Sequence, residues 1–358
     1  MSNYLILDKI HFNLHFKFKE AEMKEAMLYE KLKGNKVRCN LCAHHCVINP
    51  GKRGICGVRE NQGGVLNSLV YGKVIAEHND PIEKKPLYHF YPGSLSFSIA
   101  TVGCNFKCLF CQNADISQMP KEEGKILGWD TAPKEIVAKA LSQKASSIAY
   151  TYTEPTIFFE LAYDTAYQAV KKGLKNLFVT NGYMTKDALE IIKPYLHAAN
   201  VDLKSFQDTY YKKICGGRLQ PVLDTITNMV KMGIWVEVTT LLIPTLNDSE
   251  DELKDIARWL YQLNPDIPWH ISRFFPTYRL TNLPPTPIET IHRAREIGLE
   301  EGLHYVYTGN IPGNKGENTY CHHCHNLLIG RYGYTIMEYN IKDGCCAHCG
   351  TKIPGVGM

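Results

Sequence analysis

The chain has 358 residues, 44% of them hydrophobic, ordinary numbers of Gly and Pro, and a formal net charge of only +4. This describes a soluble globular protein, long enough for one large domain with appendages or two ordinary domains. No stretch approaches the roughly 18 consecutive apolar residues of a membrane span, and the first twenty residues lack the apolar core of a signal peptide, so the expected location is the cytoplasm with no membrane contact.

The charge is uneven: residues 1–60 carry eleven Lys or Arg against six Asp or Glu. A solvated helix face or contact with an acidic partner accounts for that, and nucleic acid is not the expected partner. Residues 12–19 alternate Phe12, Leu14, Phe16 and Phe18 with polar residues, the period of a strand. That segment is either part of the fold or an extension upstream of Met23. Ala21 to Leu32 reads as a helix, ended by Gly34-Asn35.

Thirteen cysteines in a large cytosolic chain point to metal rather than disulfides, and twelve of them fall in three groups, with Cys215 alone. The first group is Cys39, Cys42, Cys46 and Cys56, threaded through Pro-Gly and Arg-Gly turns. Four thiols within eighteen residues make a site for Zn2+ or for a second [4Fe–4S] cluster, with His44 and His45 read as loop residues. Val65 to Ile75 is strand-like. Asp80 to Phe90, held extended by two prolines, is either a solvated linker or a line of charges at the entrance to a site.

The second group follows an apolar strand at 96–102. Cys104, Cys108 and Cys111 cannot complete a four-thiolate site, but they can hold three irons of a [4Fe–4S] cube and leave the fourth iron open to a ligand. The alternative is a zinc ion that borrows a ligand from elsewhere. Beyond Cys111 the chain alternates helix 131–145, strand 147–152, helix 156–172, strand 174–179, helix 185–197, strand 198–203, helix 221–233, strand 234–242, helix 249–263, strand 269–274 and helix 287–302. With the 96–102 strand this gives six strand–helix units, which demand a parallel sheet. Six are too few for a closed eight-fold barrel. The expected α/β fold is a partial, open (β/α)6 barrel resembling a TIM barrel, with its site at the carboxyl ends of the strands.

Those ends carry Glu154-Pro155, Val179-Thr180-Asn181-Gly182, Asp202-Leu203-Lys204 and Trp269-His270-Ile271-Ser272-Arg273. Opposite charges closing a buried apolar strand, as Asp202 and Lys204 do, need a partner or each other. His270 and Ser272 share one face of their strand and Arg273 takes the other. Glu237 and Thr239 are inward candidates on the preceding strand.

Past Pro312-Gly313 the third group, Cys321, Cys324, Cys346 and Cys349, forms two Cys-x2-Cys knuckles around a strand-like hairpin, a zinc-ribbon pattern. Cys345 is spare. The expected organisation is an N-terminal extension and knuckle over 1–75, the barrel over 76–312 and the ribbon over 313–358.

Cys-x3-Cys-x2-Cys with Phe110 before the third cysteine resembles the signature of the radical S-adenosylmethionine (SAM) enzymes. In that family the open iron chelates SAM and one electron breaks a C–S bond. Thr-Tyr-Thr-Glu154-Pro155 resembles the family's Gly-Gly-Glu-Pro turn. Val179-Thr180-Asn181-Gly182 and Asp202-Leu203-Lys204 resemble strand ends of the glycyl-radical-enzyme activases. The resemblance implies SAM contacts from Glu154, Thr180, Asn181, Asp202, Lys204 and His270, with the lysine meeting the SAM carboxylate and the histidine its ribose or adenine. The knuckle, Pro81 to Leu87, the cysteine loop and the terminal Cys-Gly-Thr-Lys-Ile-Pro-Gly together resemble the radical SAM enzyme of the AmmeMemoRadiSam system, related to pyruvate formate-lyase activating enzymes. That resemblance implies Memo-like and AMMECR-like partners, a low-potential electron donor of flavodoxin or ferredoxin type, and a small-molecule or protein substrate. An activase of a glycyl-radical enzyme is one alternative, and a non-enzymatic metal- or RNA-binding module is another.

Overall fold

The structure is a computed structural model and describes residues 23–311 and 313–358. The strand-like period at 12–19 lies outside the described residues. At the centre is an eight-stranded sheet: β1 (Ala76–Pro81), β2 (Leu95–Ala100), β3 (Ser147–Tyr150), β4 (Lys175–Thr180), β5 (Ala198–Asp202), β6 (Trp235–Leu242), β7 (Trp269–Arg273) and β8 (Val306–Gly309). Spatial order follows chain order from β1 to β8. β2 to β8 are parallel, β1 pairs antiparallel with β2, and the two edge strands do not pair with each other. The sheet is therefore an open, partial barrel.

The six expected strand–helix units are present. Their helices are α1 (Pro133–Ser142), α2 (Phe159–Val170), α3 (Lys186–Ile192), α4 (Leu219–Lys231), α5 (Glu250–Leu263) and α6 (Ile288–Glu300). Local chemistry sets their starts. Ser249 caps α5 ahead of Glu250, Asp251 and Glu252, and Thr185 caps α3 by accepting from the Ala188 N–H. β3 and most of β4 and β5 are buried on both faces, as strands of a helix-covered parallel sheet must be.

Two strands exceed the expected six. β8 follows α6 and extends the parallel sheet. β1 contains Asp80, so the stretch that reads as a linker begins as the sheet's antiparallel edge and continues into a short 3-10 turn, Ile82–Lys84. Of its charged residues, Asp80, Glu83 and Lys85 are buried and Lys84 is exposed.

The helix expected over Ala21 to Leu32 is not formed by the described residues. Lys24–Glu25 pairs with Val65–Ser68, and Tyr29–Lys31 pairs with Val37–Cys39, with Leu28 at φ +57° between them. Twelve residues, eleven of them good helix formers, are marginal as an isolated helix, and strand pairing supplies more than propensity does. The turn expected at Gly34-Asn35 is real and closes this hairpin.

At the other end, Thr319–Tyr320 with β9 (Leu327–Tyr332) and β10 (Thr335–Tyr339) forms a three-stranded antiparallel sheet over a small core of Cys321, Leu328, Ile329, Ile341, Cys346 and Ile353. Buried Arg331 fastens it to the barrel, donating to Thr319 Oγ1 at 2.7 Å and to the Tyr88 carbonyl at 3.0 Å, with its guanidinium 4.2 Å above the Tyr88 ring.

Candidate active site

A cavity of about 410 Å³ opens at the carboxyl ends of β2 to β7. Its wall on the β2 side is the cysteine loop. Gly103, at φ +104°, makes the turn out of β2, where any Cβ would stand 2.6 Å from Val58 Cγ1. A π turn at Tyr211–Cys215 braces the loop: the Cys215 and Ile214 carbonyls accept from the N–H groups of Lys107 and Leu109. Cys215, alone in the sequence, is thus packed behind the loop. Cys104, Cys108 and Cys111 all face the cavity. The Phe106 N–H donates to Cys104 Sγ at 3.4 Å, and Ser117 Oγ lies 3.3 Å from Cys111 Sγ. Burial pushes the Cys104 and Cys111 thiols up, so a positive centre is what would hold them as thiolates.

Glu154 lies at the end of β3, buried, with every near neighbour a donor. Its Oε1 accepts from Thr156 N at 3.0 Å, Thr156 Oγ1 at 2.5 Å and Thr180 Oγ1 at 2.7 Å, and its Oε2 accepts from Asn181 N at 2.8 Å. Burial raises its pKa despite these bonds. The carboxylate thereby clamps the ends of β3 and β4 together. Asn181 turns its amide to Asn105 Oδ1 at 2.7 Å, next to Cys104. Gly182 follows at φ +69°, where a side chain would meet Val201 Cγ1 at 2.8 Å. Within Thr-Tyr-Thr, Tyr152 takes φ +60°, so a tyrosine adopts the left-handed bend that glycine adopts freely. Its carbonyl accepts from Asn113 Nδ2 at 2.8 Å.

Lys204 Nζ lies 2.7 Å from Asp202 Oδ2, and both line the cavity. Burial disfavours the ammonium, but Asp202 outweighs it and holds the lysine pKa well above its ordinary value. The loop is pinned from below by Glu252 of α5, which accepts from Ser205 Oγ at 2.5 Å and Phe206 N at 2.8 Å. Opposite stand Lys84 and Lys85. Lys85 Nζ is 2.7 Å from Asp80 Oδ2, which also accepts from Tyr152 Oη at 2.7 Å, and Lys84 reaches Asp80 Oδ1 at 2.9 Å. Although burial opposes ionisation, these donors hold the Asp80 carboxyl well below the usual carboxylate range.

Eight of the nine expected residues around cluster and SAM therefore share one cavity: the three cysteines, Glu154, Thr180, Asn181, Asp202 and Lys204. His270 does not line it. It points inward one layer deeper, where its Nε2 donates to Glu237 Oε2 at 2.6 Å and its ring lies between Tyr88 and Tyr307. Glu237 is equally occupied, accepting from the Tyr88 and His89 N–H groups. The inward positions two residues further along, Ser272 and Thr239, are the ones that reach the cavity. Lys84, Lys85, Asn310 and Tyr334 also line it. Lys84 and Lys85 were legible as charges between two prolines, whereas nothing local marks Asn310 or Tyr334.

The ribbon thiols form a compact set. Cys321, Cys324, Cys346 and Cys349 have all their Sγ atoms within 4.8 Å of one another, and the Cys321–Cys349 and Cys324–Cys346 pairs are at 3.7 Å. Thiolates on one tetrahedral zinc at bonds of about 2.3 Å stand about 3.8 Å apart. His322 bonds Tyr305 Oη instead of joining the set.

Residues 98–260 match the Radical SAM superfamily. The Methanocaldococcus jannaschii protein MJ0808 is 49% identical over 334 residues, 92% of this chain and 99% of that one. The chain belongs to the radical SAM superfamily. It is an enzyme of this superfamily, which sets aside the non-enzymatic reading, and it is of the kind related to pyruvate formate-lyase activating enzymes. The pyruvate formate-lyase-activating enzyme of Clostridium pasteurianum is 24% identical over 161 residues, covering 43% of this radical SAM chain and 65% of its relative. A domain of the Bacteroides vulgatus pyruvate-formate lyase-activating enzyme aligns at 19% identity over 46% of this chain and 100% of that domain, with a TM-score of 0.41. Among the described residues no helix of this radical SAM protein is long and apolar enough to cross a membrane.

Proposed function

We propose that Cys104, Cys108 and Cys111 hold a [4Fe–4S] cluster and that the cavity beside them receives SAM. What carries this reading is the convergence on one cavity of three thiols, which alone leave a coordination position open, with the Asp202–Lys204 pair and the Thr180-Asn181 turn. The donor set fits: these thiols are not among the side chains grouped closely enough for a single ion, and the cavity volume is that of small-molecule sites. When bound, the cluster supplies the electron that breaks a C–S bond of SAM, yielding a carbon radical, on this reading 5′-deoxyadenosyl.

The chain's own residues bind and orient. Lys204 meets the SAM carboxylate, and Asp202 fixes the ammonium that does so. Thr180 and Asn181, held by Glu154, shape the wall. Lys85 and Tyr152, anchored on Asp80, form the opposite side, where the substrate enters. His270 is assigned a role in the packed layer beneath the cavity instead of a SAM contact. The ribbon thiols hold Zn2+, and Cys39, Cys42, Cys46 and Cys56 form a further metal site whose donors suit either zinc or a second cluster. A low-potential flavodoxin- or ferredoxin-type donor, a Memo-like or AMMECR-like partner and a cytoplasmic location complete the reading. They are supported by the sequence motifs.

A second reading, activation of a glycyl-radical enzyme, draws on the named activity of the Clostridium pasteurianum relative. Val179, which lines the cavity where those activases carry Asp, speaks for a different substrate.

The test is anaerobic. The chain is reconstituted with iron and sulfide and reduced with SAM present, and the adenosyl product is identified by chromatography. 5′-Deoxyadenosine with methionine is expected, and Cys108→Ala abolishes it. Methylthioadenosine would overturn the deoxyadenosyl assignment, and turnover retained by Cys108→Ala would overturn the thiol assignment.

A further inference from the structure

The four knuckle cysteines differ from the ribbon in one respect that bears on what they hold. Among the described residues, the ribbon thiols are the one set of three or more metal-ligating side chains whose ligand atoms all lie within 4.8 Å of one another. Cys39, Cys42, Cys46 and Cys56 fail that criterion, yet all four line a single cavity. The thiols surround a hollow instead of touching one another. Its remaining wall includes Leu41, Ile48, Ile55 and Ile157, with His44 and Arg59 as further polar groups.

Arg59 also lines this cavity and is 1% exposed. Its Nη2 donates to the Met27 carbonyl at 2.7 Å and to Glu160 Oε1 at 2.9 Å, but among the described residues its Nε and Nη1 have no hydrogen-bond partner. Buried guanidinium donors left unpaired cost free energy unless an acceptor meets them. The thiolates of any bound metal centre can accept from Arg59, so the spread of the thiols is what separates the candidate occupants. A lone zinc ion draws its four thiolates together, as the ribbon thiols are drawn. A cubane places each thiolate on a different iron and carries sulfides that accept N–H hydrogen bonds.

We propose that Cys39, Cys42, Cys46 and Cys56 bind a second [4Fe–4S] cluster, with Arg59 donating to it, and that zinc is confined to the ribbon. The site abuts the cysteine loop of the barrel: His44 Nε2 donates to the Asn105 carbonyl at 2.9 Å, between Cys104 and Cys108 in sequence. The inference rests on the knuckle being a metal site and does not depend on SAM binding.

The test is a metal count with spectroscopy on the full chain, reconstituted anaerobically with iron, sulfide and zinc. Wild type is expected to hold about eight irons and one zinc. The variant Cys104→Ala/Cys108→Ala/Cys111→Ala is expected to keep about four irons and, when reduced, an electron paramagnetic resonance signal that SAM does not perturb. Wild type with about four irons and two zincs would overturn the proposal, as would loss of all iron from a folded triple variant. Should that variant not fold, the wild-type count decides alone. Eight irons without SAM cleavage would sustain this cluster while overturning the proposed reaction.

Discussion

Glu154 illustrates how a motif residue can serve a site by holding its wall. All its hydrogen bonds go to Thr156, Thr180 and Asn181, so in the proposed site its role is to fix the wall of the SAM cavity. In Glu154→Gln the amide nitrogen takes one oxygen's place and must face a donor, Asn181 N–H or Thr180 Oγ1. We expect a cost of about 1–3 kcal/mol in stability and SAM binding weakened on the order of tenfold, with iron content unchanged. Calorimetric titration of the reduced, reconstituted variant reads this, and unaltered SAM affinity would rule out a positioning role. The cysteines were legible because thiol spacing is a local property of the chain. Glu154 was legible as a site residue, but its partners, 26 and 27 residues away, were not.

At the level of elements, β6, β7 and β8 meet the ribbon through a buried polar layer. His89 sits at its centre. Its Nδ1 donates to the Pro354 carbonyl at 2.7 Å and its Nε2 accepts from Tyr307 Oη at 2.6 Å, an arrangement that requires the neutral ring. Burial pushes its pKa down to about 4 from 6.5, against the opposing pull of Glu237. The unfolded chain therefore binds a proton that the folded chain refuses between these values. The stabilisation is complete above about pH 6.5 and is lost as pH falls toward 4, by at most about 3 kcal/mol. Urea unfolding across this range should show the loss, and His89→Phe should flatten it. A variant with the same slope as wild type would place the titration elsewhere. His270, one strand over, was expected at the cavity from the family resemblance. The structure places it too deep, since only the depth of each inward layer separates His270 from Ser272.

Across the whole molecule, a barrel with one large core cluster and a smaller one of Ile82, Leu87, Phe90, Ala149, Leu177 and Ala198 carries a ribbon whose own core is six buried residues, two of them cysteines. Such a unit is too small to fold on hydrophobic burial, and with the proposed zinc in place it depends on that metal. Stripping zinc with a chelator, or Cys346→Ser, is expected to raise amide exchange across 319–353 by orders of magnitude while α1 to α5 stay protected. Uniform protection after zinc loss, read by mass spectrometry, would show that docking through Arg331 suffices. Because Tyr334 reaches the cavity from the ribbon hairpin, the same treatment should open that side of the cavity.

The sequence by itself determined the superfamily, the six strand–helix units and the strand-end motifs, because thiol spacing, hydrophobic period and turn residues are written within a few positions of one another. Tertiary structure alone decided the rest. It turned a helical N-terminal pattern into strand pairs, made a linker into the edge strand β1, added β8 and sank His270 beneath the cavity. It also spread the knuckle thiols around a hollow while drawing the ribbon thiols together. Each of these outcomes depends on which distant segments pack against each other, and packing energy across the chain exceeds the local preferences that a sequence displays.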